Sequence, residues 1–265
     1  MPFVETNGIN MHYEEKGEGE PLILIMGFGA PGALWELHVN EYSKHFRCIM
    51  VDNRGVGQSD KPEGPYSTAT MADDTAGLMD ALGIDKARIA GISMGGAISQ
   101  QLALLHPQKV QSMVLISTWG RFDRYATTVY ENLKKIRRVA DPGDFMELLQ
   151  LWIFATDYVE ANADGLTEGQ EAARKNPDPQ PQQGFDGQLD ACINHDSIEE
   201  LHTVTQPTLI VVGIKDIFTP LAFSELLHEK IAGSNIWRIA DTGHACHWEA
   251  LVEFNRRTTD FLLNN

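Results

Sequence analysis

The chain has 265 residues, of which 43% are hydrophobic, and it carries a formal net charge of −16. This length and composition favour one sizeable domain with its own hydrophobic core. A surface that acidic repels phosphate groups, so we expect neither nucleic acid nor an anionic membrane as a partner.

The cysteines and the apolar segments indicate in which cellular compartment the protein is found. Cys48, Cys192 and Cys246 are odd in number and lack C-x-x-C spacing, which predicts free thiols in a reducing compartment. The first residues have neither the basic nor the apolar region of a signal peptide. Uninterrupted apolar runs such as residues 22–26 are too short to cross a bilayer. We therefore predict a cytoplasmic protein.

Short β-rich runs alternate with helical periodicity along the first 120 residues, which is typical of a mostly parallel sheet covered by helices. In chain order, the predicted strands are residues 3–6, 10–15, 22–26, 47–52, 86–92 and 110–117. The predicted helices among them are residues 34–45, 70–82 and 97–105. A turn-rich loop at residues 53–62 follows the fourth strand.

The pattern is helical from residue 121 to residue 202, with predicted helices at 125–139 and 144–154 and a Pro/Gln-rich loop at 176–183. The sheet pattern then resumes as strand, helix, strand and helix at residues 208–212, 221–231, 235–240 and 248–263. We predict a core formed by residues 1–120 and 203–265, with residues 121–202 as a helical cap inserted after the sixth strand.

Residues 91–95 form a G-x-S-x-G motif between a predicted strand and a predicted helix, the context that gives this motif its meaning. A serine at the tip of so sharp a turn is under backbone strain, and Gly91 and Gly95 leave room for the close approach of strand and helix. The Ser93 hydroxyl then lies at a helix N-terminus, where partial positive charge favours a developing anion. The motif therefore predicts Ser93 as a nucleophile.

A serine hydroxyl is a weak nucleophile near neutral pH, so it needs a base that a carboxylate orients. With this motif the partners follow in the order Asp/Glu and then His. Asp216 follows the strand at 208–212, and His244 lies in the loop after the next strand. Because ligands bind beyond the carboxyl ends of such strands, we predict that Ser93, Asp216 and His244 form one catalytic group.

Two neighbours of His244 offer alternatives. His247 could be the base, although it is expected to begin the last helix, and Asp241 could orient the histidine, although it resembles a turn former before Gly243. His244, Cys246 and His247 also resemble a ligand cluster. No H-E-x-x-H or paired C-x-x-C motif completes a metal site, so we predict neither a metal nor another cofactor.

An acyl-transfer enzyme usually binds its tetrahedral oxyanion with two backbone N–H groups. We expect these from Met94, which follows the nucleophile, and from Phe28 in the loop Gly27-Phe28-Gly29.

Apolar side chains of the cap and of the residues just before it are candidates for the substrate pocket, together with Gly27. They are Trp119, Trp152, Ile153, Phe154, Tyr158 and Phe185. The alternative is that most of them pack between cap and core. The acidic surface disfavours highly anionic substrates unless Arg54, Arg121 or Arg124 lies near the mouth, and Arg54 could instead brace its own turn.

The order of these motifs resembles the α/β-hydrolase superfamily over nearly the whole chain. The resemblance rests on G-F-G at 27–29, D-x-R-G-x-G-x-S-D at 52–60, S-M-G-G at 93–96, His106-Pro107, Asp216 and Gly243-His244. These blocks look most like those of carboxylesterases, 3-oxoadipate enol-lactonases and cofactor-free haloperoxidase-like hydrolases. The resemblance implies an α/β fold with an eight-stranded, mostly parallel sheet flanked by helices, and it carries the catalytic roles onto the residues named above.

Departures from other branches narrow the prediction. A serine at position 93 is unlike the aspartate nucleophile of epoxide hydrolases and haloalkane dehalogenases, and G-F-G is unlike the H-G-G-G loop of hormone-sensitive-lipase-like esterases. The D-N-R-G block differs from the D-x-P-G common in C–C bond hydrolases. We predict a serine hydrolase that cleaves small carboxylic esters or lactones through an acyl-enzyme on Ser93.

The alternatives are a 3-oxoadipate enol-lactonase-like enzyme, a C–C bond hydrolase, a cofactor-free haloperoxidase or perhydrolase, and a ligand receptor without turnover. The receptors of this superfamily have a G-H-S-x-x-A elbow, which this chain lacks. Superfamily membership alone does not fix the substrate.

Overall fold

The structure is a computed structural model, and it describes residues 2–265. Eight strands form one sheet: β1 (Phe3–Thr6), β2 (Ile9–Lys16), β3 (Pro21–Ile25), β4 (Arg47–Val51), β5 (Ala87–Ile92), β6 (Val110–Ile116), β7 (Thr208–Gly213) and β8 (Asn235–Ile239). Their order across the sheet is β1-β2-β4-β3-β5-β6-β7-β8. The pairs β1–β2 and β2–β4 are antiparallel and all others are parallel, which confirms the predicted mostly parallel sheet.

Eleven α-helices flank the sheet in the described part of the chain. They are α1 (Glu36–Tyr42), α2 (Thr68–Ala81), α3 (Met94–Leu105), α4 (Arg124–Arg137), α5 (Pro142–Ile153), α6 (Thr156–Ala161), α7 (Ala163–Lys175), α8 (Gln182–Ile193), α9 (Leu221–Lys230), α10 (Cys246–Glu249) and α11 (Leu251–Leu263). Within residues 2–265, no helix has the length and apolar character needed to cross a membrane.

The core lies on both faces of the sheet, because successive side chains of a strand point to opposite faces. In β3, Ile23 and Ile25 belong to a cluster that includes residues of α2, α3 and α4, whereas Leu22 and Leu24 belong to a cluster with α1 and α11. All residues of β5 and β7 are buried. Burial on both faces explains the nearly continuous apolar runs that mark these strands in the sequence.

Some predicted helices differ from the structure at their ends. The predicted helix at 34–45 is a 3-10 turn at Gly32–Trp35 followed by α1, and the predicted last helix is divided into α10 and α11. The helix after the G-x-S-x-G motif begins at Met94, so Ser93 directly precedes its first residue. Helix ends are the positions that periodicity defines least well, because it reports the buried face and not the cap.

The five helices α4–α8 lie between β6 and β7, and we call them the cap helices. Asp123 and Asp141 cap the N-termini of α4 and α5 by accepting backbone N–H hydrogen bonds. Helix α4 packs against α8, and α5 packs against α7. The division of the chain near residues 120 and 203 into core and cap stays a prediction.

Candidate active site

Ser93 lies in a sharp turn between β5 and α3. Its φ of 55° is in the left-handed region, which is strained for a residue with a side chain. A Cβ on Gly91 would lie 2.3 Å from the carbonyl oxygen of Gly95, and a Cβ on Gly95 would lie 2.1 Å from that of Ile25. The Ser93 N–H donates to the carbonyl oxygen of Ile116 at 2.8 Å, which ties the turn to β6. The turn therefore needs both glycines for space.

Asp216 and His244 meet beyond the ends of β7 and β8. The Nδ1 atom of His244 lies 3.0 Å from Oδ2 of Asp216, and both side chains are buried. Oδ1 of Asp216 accepts hydrogen bonds from the N–H groups of Phe218 and Thr219, each at 2.8 Å. The carboxylate is thus fixed by its own loop while it faces the imidazole.

The imidazole is held on two further sides. The Thr219 hydroxyl lies 2.8 Å from Oδ2 of Asp216 and 2.9 Å from Nδ1 of His244. The Ser117 hydroxyl donates to the backbone carbonyl of His244 at 2.8 Å. The Phe218 ring packs edge-on against the imidazole, with centroids 5.1 Å apart. These contacts leave Nε2 of His244 as the ring atom that can act on a substrate.

Ser93 and His244 both border a cavity of about 440 Å³. The Ser93 hydroxyl oxygen is buried and has no hydrogen-bond partner among residues 2–265, so no hydrogen bond joins it to His244. Hydrogen bonds between catalytic groups are often long in the free protein and shorten when substrate binds. The structure therefore places all three predicted catalytic residues around one space.

His247 and Asp241, the alternatives to His244 and Asp216, lie in different surroundings from those two residues. His247 is fully buried and stacks against His38 at 5.3 Å, and no carboxylate contacts its ring in the described part of the chain. Burial, with the nearby His38 and His244, lowers the pKa of His247 well below its ordinary value, so its ring is neutral. Asp241 is exposed, has a positive φ of 59° and pairs with Lys215 at 3.0 Å.

The two expected oxyanion donors follow neighbouring parallel strands, β3 and β5. No described residue accepts a hydrogen bond from the N–H of Phe28 or of Met94. A Cβ on Gly27 would lie 3.3 Å from Cβ of Ser93, so the loop of Phe28 runs directly beside Ser93. Both N–H groups therefore remain available to an oxygen bound at Ser93.

A cap helix holds this loop in place. The Gly29 N–H donates to Oε1 of Gln188 in α8 at 2.7 Å, and Nε2 of Gln188 donates to the carbonyl oxygen of Arg54 at 2.9 Å. Gln188 is fully buried. Gln188 therefore joins α8 by hydrogen bonds to the loop of Phe28 and to that of Arg54, while the Phe28 ring packs on Tyr130 and Phe185 of the cap helices.

A second junction joins the cap helices to the loop of His244. The Ala245 N–H donates to the carbonyl oxygen of Ile153 at 2.8 Å. The Glu249 carboxylate accepts from the N–H of Gly243 at 2.9 Å and from that of Ala155 at 3.4 Å. Burial raises the pKa of Glu249, and these two N–H groups oppose the rise. The end of α5 is thereby fixed to the histidine loop.

The cavity is lined mainly by apolar side chains. From the cap helices and their flanks these are Phe145, Met146, Leu149, Ile153, Phe154, Leu166 and Phe185, and from the core they include Met26, Phe28, Leu34, Phe218 and Trp248. Of the predicted pocket residues, Gly27, Ile153, Phe154 and Phe185 border the cavity.

The structure does not bring Trp119, Trp152 or Tyr158 to the cavity wall. Trp119 is fully buried and stacks on Phe122 at 4.2 Å. Trp152 packs near Phe218, and Tyr158 stacks on Phe154. The prediction of Trp119 and Trp152 as substrate contacts is corrected accordingly, because Trp119 is packed in the loop after β6 and Trp152 packs beside Phe218.

The three arginines considered for the mouth do not line the cavity. Arg54 forms two buried hydrogen bonds with Asp74, at 2.5 and 2.6 Å, and so braces its own turn. Arg121 pairs with Asp196 at the surface, and Arg124 is exposed at the start of α4. Arg137, at the end of α4, borders the cavity instead. No sequence motif marks Arg137, Gln188 or Glu249.

Metal-binding residues are not clustered in the described residues. No group of three or more His, Cys, Asp or Glu side chains there is arranged to hold a metal ion. Cys48, Cys192 and Cys246 are buried free thiols.

Comparisons with known proteins agree with the fold. The sequence model of the alpha/beta hydrolase fold matches residues 20–251. A protein of Azorhizobium caulinodans named as a carbamate hydrolase, RutD, is 28% identical over 245 residues, or 92% of each chain. A Mycobacterium tuberculosis protein named as a non-heme bromoperoxidase, BpoC, is 30% identical over 249 residues, or 91% of this chain and 93% of its own. The crystal structure of the enol-lactonase from Burkholderia xenovorans LB400 has a TM-score of 0.90 at 27% identity, covering 99% of this chain and 100% of that chain.

Proposed function

Because the chain belongs to the alpha/beta-hydrolase family, we propose that it is a serine hydrolase that cleaves small carboxylic esters or lactones. The observation that carries the proposal is the buried contact of His244 with Asp216, at 3.0 Å, on the same cavity as the Ser93 turn. A strained serine, a carboxylate and an imidazole that follow in this chain order and meet at one cavity are the groups that acyl transfer requires.

In the proposed mechanism, Oγ of Ser93 attacks the substrate carbonyl while Nε2 of His244 removes the hydroxyl proton. Asp216 holds the Nδ1–H tautomer and stabilises the imidazolium that forms. The N–H groups of Phe28 and Met94 bind the oxyanion. The proton then passes from His244 to the leaving alkoxide. Water, deprotonated by His244, then attacks the acyl-enzyme; the bond to Oγ of Ser93 breaks, the acid leaves, and the imidazolium returns the proton to Oγ.

The cavity supports a small substrate. Its volume of about 440 Å³ and its apolar walls fit a short acyl chain or a lactone ring better than a polymer. Likeness to an enol-lactonase supports including lactones in this class. The three unpaired thiols support a reducing compartment such as the cytoplasm.

A carbamate is a second candidate substrate, favoured by the likeness to the protein named as a carbamate hydrolase. A carbamate has a carbonyl carbon that the same serine could attack, with an amine in place of the alcohol as leaving group. Release of amine from simple carbamates, measured beside ester hydrolysis, would distinguish the two.

The test of the proposed function is turnover of p-nitrophenyl esters from acetate to decanoate and of a small lactone panel. We expect repeated turnover by the wild type and only background rates for Ser93→Ala. Ser43→Ala, a serine at the end of α1 away from the cavity, serves as the matched control and should match the wild type. Full activity of Ser93→Ala, or a wild type that stops after one turnover, would overturn the proposal.

A further inference from the structure

Tyr130, in the cap helix α4, is fully buried, and its hydroxyl has no hydrogen-bond partner among residues 2–265. The hydroxyls of Tyr42 and Tyr66, which are also buried residues, each have a partner oxygen, at 2.6 and 2.5 Å. A buried hydroxyl without a partner costs about 1–3 kcal/mol, and a phenylalanine would fill the same space without that cost. Packing alone therefore does not explain the hydroxyl of Tyr130.

A missing partner is not by itself a sign of function. The buried hydroxyls of Ser112, Ser224 and Thr259 also lack a partner in the described part of the chain. These three side chains lie in β6, α9 and α11, outside the cap helices. Tyr130 differs from them because its ring and its hydroxyl both face the proposed catalytic residues.

The Tyr130 ring is fixed between the loop of the proposed oxyanion donor and the loop of the catalytic carboxylate. It stacks on the Phe218 ring, with centroids 4.9 Å apart and planes at 14°, and it meets the Phe28 ring edge-on at 5.5 Å. Phe218 in turn packs against the imidazole of His244 at 5.1 Å. Both Phe28 and Phe218 border the cavity. The position of the phenol is thus set from two sides by residues of the catalytic loops.

The hydroxyl of Tyr130 faces that of Ser93. Burial raises the pKa of the Tyr130 phenol well above its ordinary value, and the nearby Cys192 and Asp216 add to the rise, whereas the Ser93 hydroxyl opposes it. The two hydroxyls are thus close enough to influence one another, yet neither is hydrogen-bonded to the other or to another described residue. The Ser93 oxygen is as enclosed as the phenol oxygen, so an ester that reacts with Ser93 must enter the space that the phenol faces.

We propose that the Tyr130 hydroxyl donates a hydrogen bond to the ester oxygen of the substrate and so assists departure of the alcohol. This inference rests on the proposed function and adds a further catalytic residue to it. The carbonyl oxygen already has two proposed donors, the N–H groups of Phe28 and Met94, so the ester oxygen is the reacting atom that lacks a fixed donor.

The phenol stabilises the ester oxygen without giving up its own proton. As the bond between the carbonyl carbon and the ester oxygen breaks, negative charge develops on that oxygen, and Nε2 of His244 supplies the proton that completes the alcohol. A hydrogen bond from a neutral phenol stabilises this charge before the proton arrives. The raised pKa of Tyr130 keeps the phenol protonated and therefore a donor.

The test compares two esters that differ only in the alcohol, ethyl butanoate and p-nitrophenyl butanoate, through kcat/KM, which reports formation of the acyl-enzyme. Ethoxide is a poor leaving group that depends on hydrogen bonding and protonation, whereas p-nitrophenolate leaves with little help. In Tyr130→Phe we expect kcat/KM to fall about 10- to 100-fold for the ethyl ester and less than about threefold for the p-nitrophenyl ester. Tyr125→Phe makes the same change at an exposed position of α4 and should leave both values unchanged.

Thermal unfolding separates this role from a structural one. Because the hydroxyl has no partner in the described part of the free protein, Tyr130→Phe should keep the Tm of the wild type or raise it. A fall in Tm of more than about 4 °C would mean that the hydroxyl already has a protein partner, and it would overturn the inference.

The kinetic outcomes distinguish the two proposals. Equal loss on both esters in Tyr130→Phe would assign the phenol to the oxyanion or to Ser93 itself, and it would overturn the inference while the hydrolase proposal stands. A wild type that hydrolyses only the p-nitrophenyl ester would also overturn it, because the poor leaving group then receives no assistance. If the wild type hydrolyses neither ester, the hydrolase proposal fails and the inference fails with it.

Discussion

Replacing Gln188 by leucine removes the side chain through which α8 holds the loop of Phe28. The Gly29 N–H loses its acceptor at 2.7 Å, and the carbonyl oxygen of Arg54 loses its donor at 2.9 Å. Each buried group left without a partner costs about 1–3 kcal/mol. For a chain of this size, each kcal/mol corresponds to a fall in Tm of about 2–4 °C.

Gln188→Leu should lower kcat by more than a loss of folded protein would explain. Phe28 precedes Gly29, so a shift of this peptide moves the proposed oxyanion donor. Loss of such a donor costs about 10²–10³ in kcat, and a partial displacement should cost about 10- to 100-fold with little change in KM. Thermal unfolding and steady-state kinetics on a p-nitrophenyl ester measure the two effects separately.

Gln182→Leu is the matched control, because Gln182 lies on the same helix and its side chain contacts only cap residues. We expect its kcat to stay within twofold of the wild type. If Gln188→Leu lowers Tm as the loss of both hydrogen bonds requires while its kcat stays within twofold of the wild type, Gln188 does not position the loop of Phe28.

Three other substitutions test the remaining contacts. Asp216→Asn should lower kcat about 10³- to 10⁴-fold with little change in KM, because an amide no longer stabilises the imidazolium of His244; a loss below tenfold in steady-state kinetics would contradict this. Glu249→Gln should remove a pH dependence of stability. Burial raises the pKa of Glu249, so the folded wild type takes up a proton at a higher pH than the unfolded chain. The wild type should therefore gain stability relative to the variant as pH falls from 7 towards 5. A Tm difference that is flat or falls over this range would refute that sign. Gly95→Ala should prevent folding or lower Tm by more than about 10 °C, because its Cβ would lie 2.1 Å from the carbonyl oxygen of Ile25; circular dichroism melting measures this.

The parts of the site that the sequence predicts are those tied to strand ends. Ser93, Asp216 and His244 each follow an apolar strand that periodicity locates, and parallel strands bring their carboxyl ends to one edge of a sheet. The fold follows from the same strands, and its sheet is as predicted. The catalytic roles of the three residues stay a prediction.

The contacts made by the cap could not be predicted in this way. Gln188 and Gly29 are 159 residues apart, and no spacing relates a cap helix to the loop beneath it. The orientation of an apolar helix is also ambiguous, since the same periodicity fits packing against core or facing a pocket. In α5, Trp152 packs near Phe218, whereas the next residue, Ile153, borders the cavity. Arg137 carries no signal, because an arginine at the end of a helix is common.

The junction of α5 with the histidine loop restricts how this protein can be recombined with its relatives. Ile153 supplies a backbone carbonyl to Ala245, and Ala155 shares the Glu249 carboxylate with Gly243. A chimaera that takes residues 121–202 from another chain must reproduce this backbone path, or the loop of His244 loses hydrogen bonds on its cap side. The α8 side also depends on backbone geometry, because a Cβ on Gly184 would lie 2.4 Å from the carbonyl oxygen of Gly55. New selectivity is therefore easier to graft into α7, which packs against α5 and α6 and borders the cavity with Leu166, than into α8 or the end of α5.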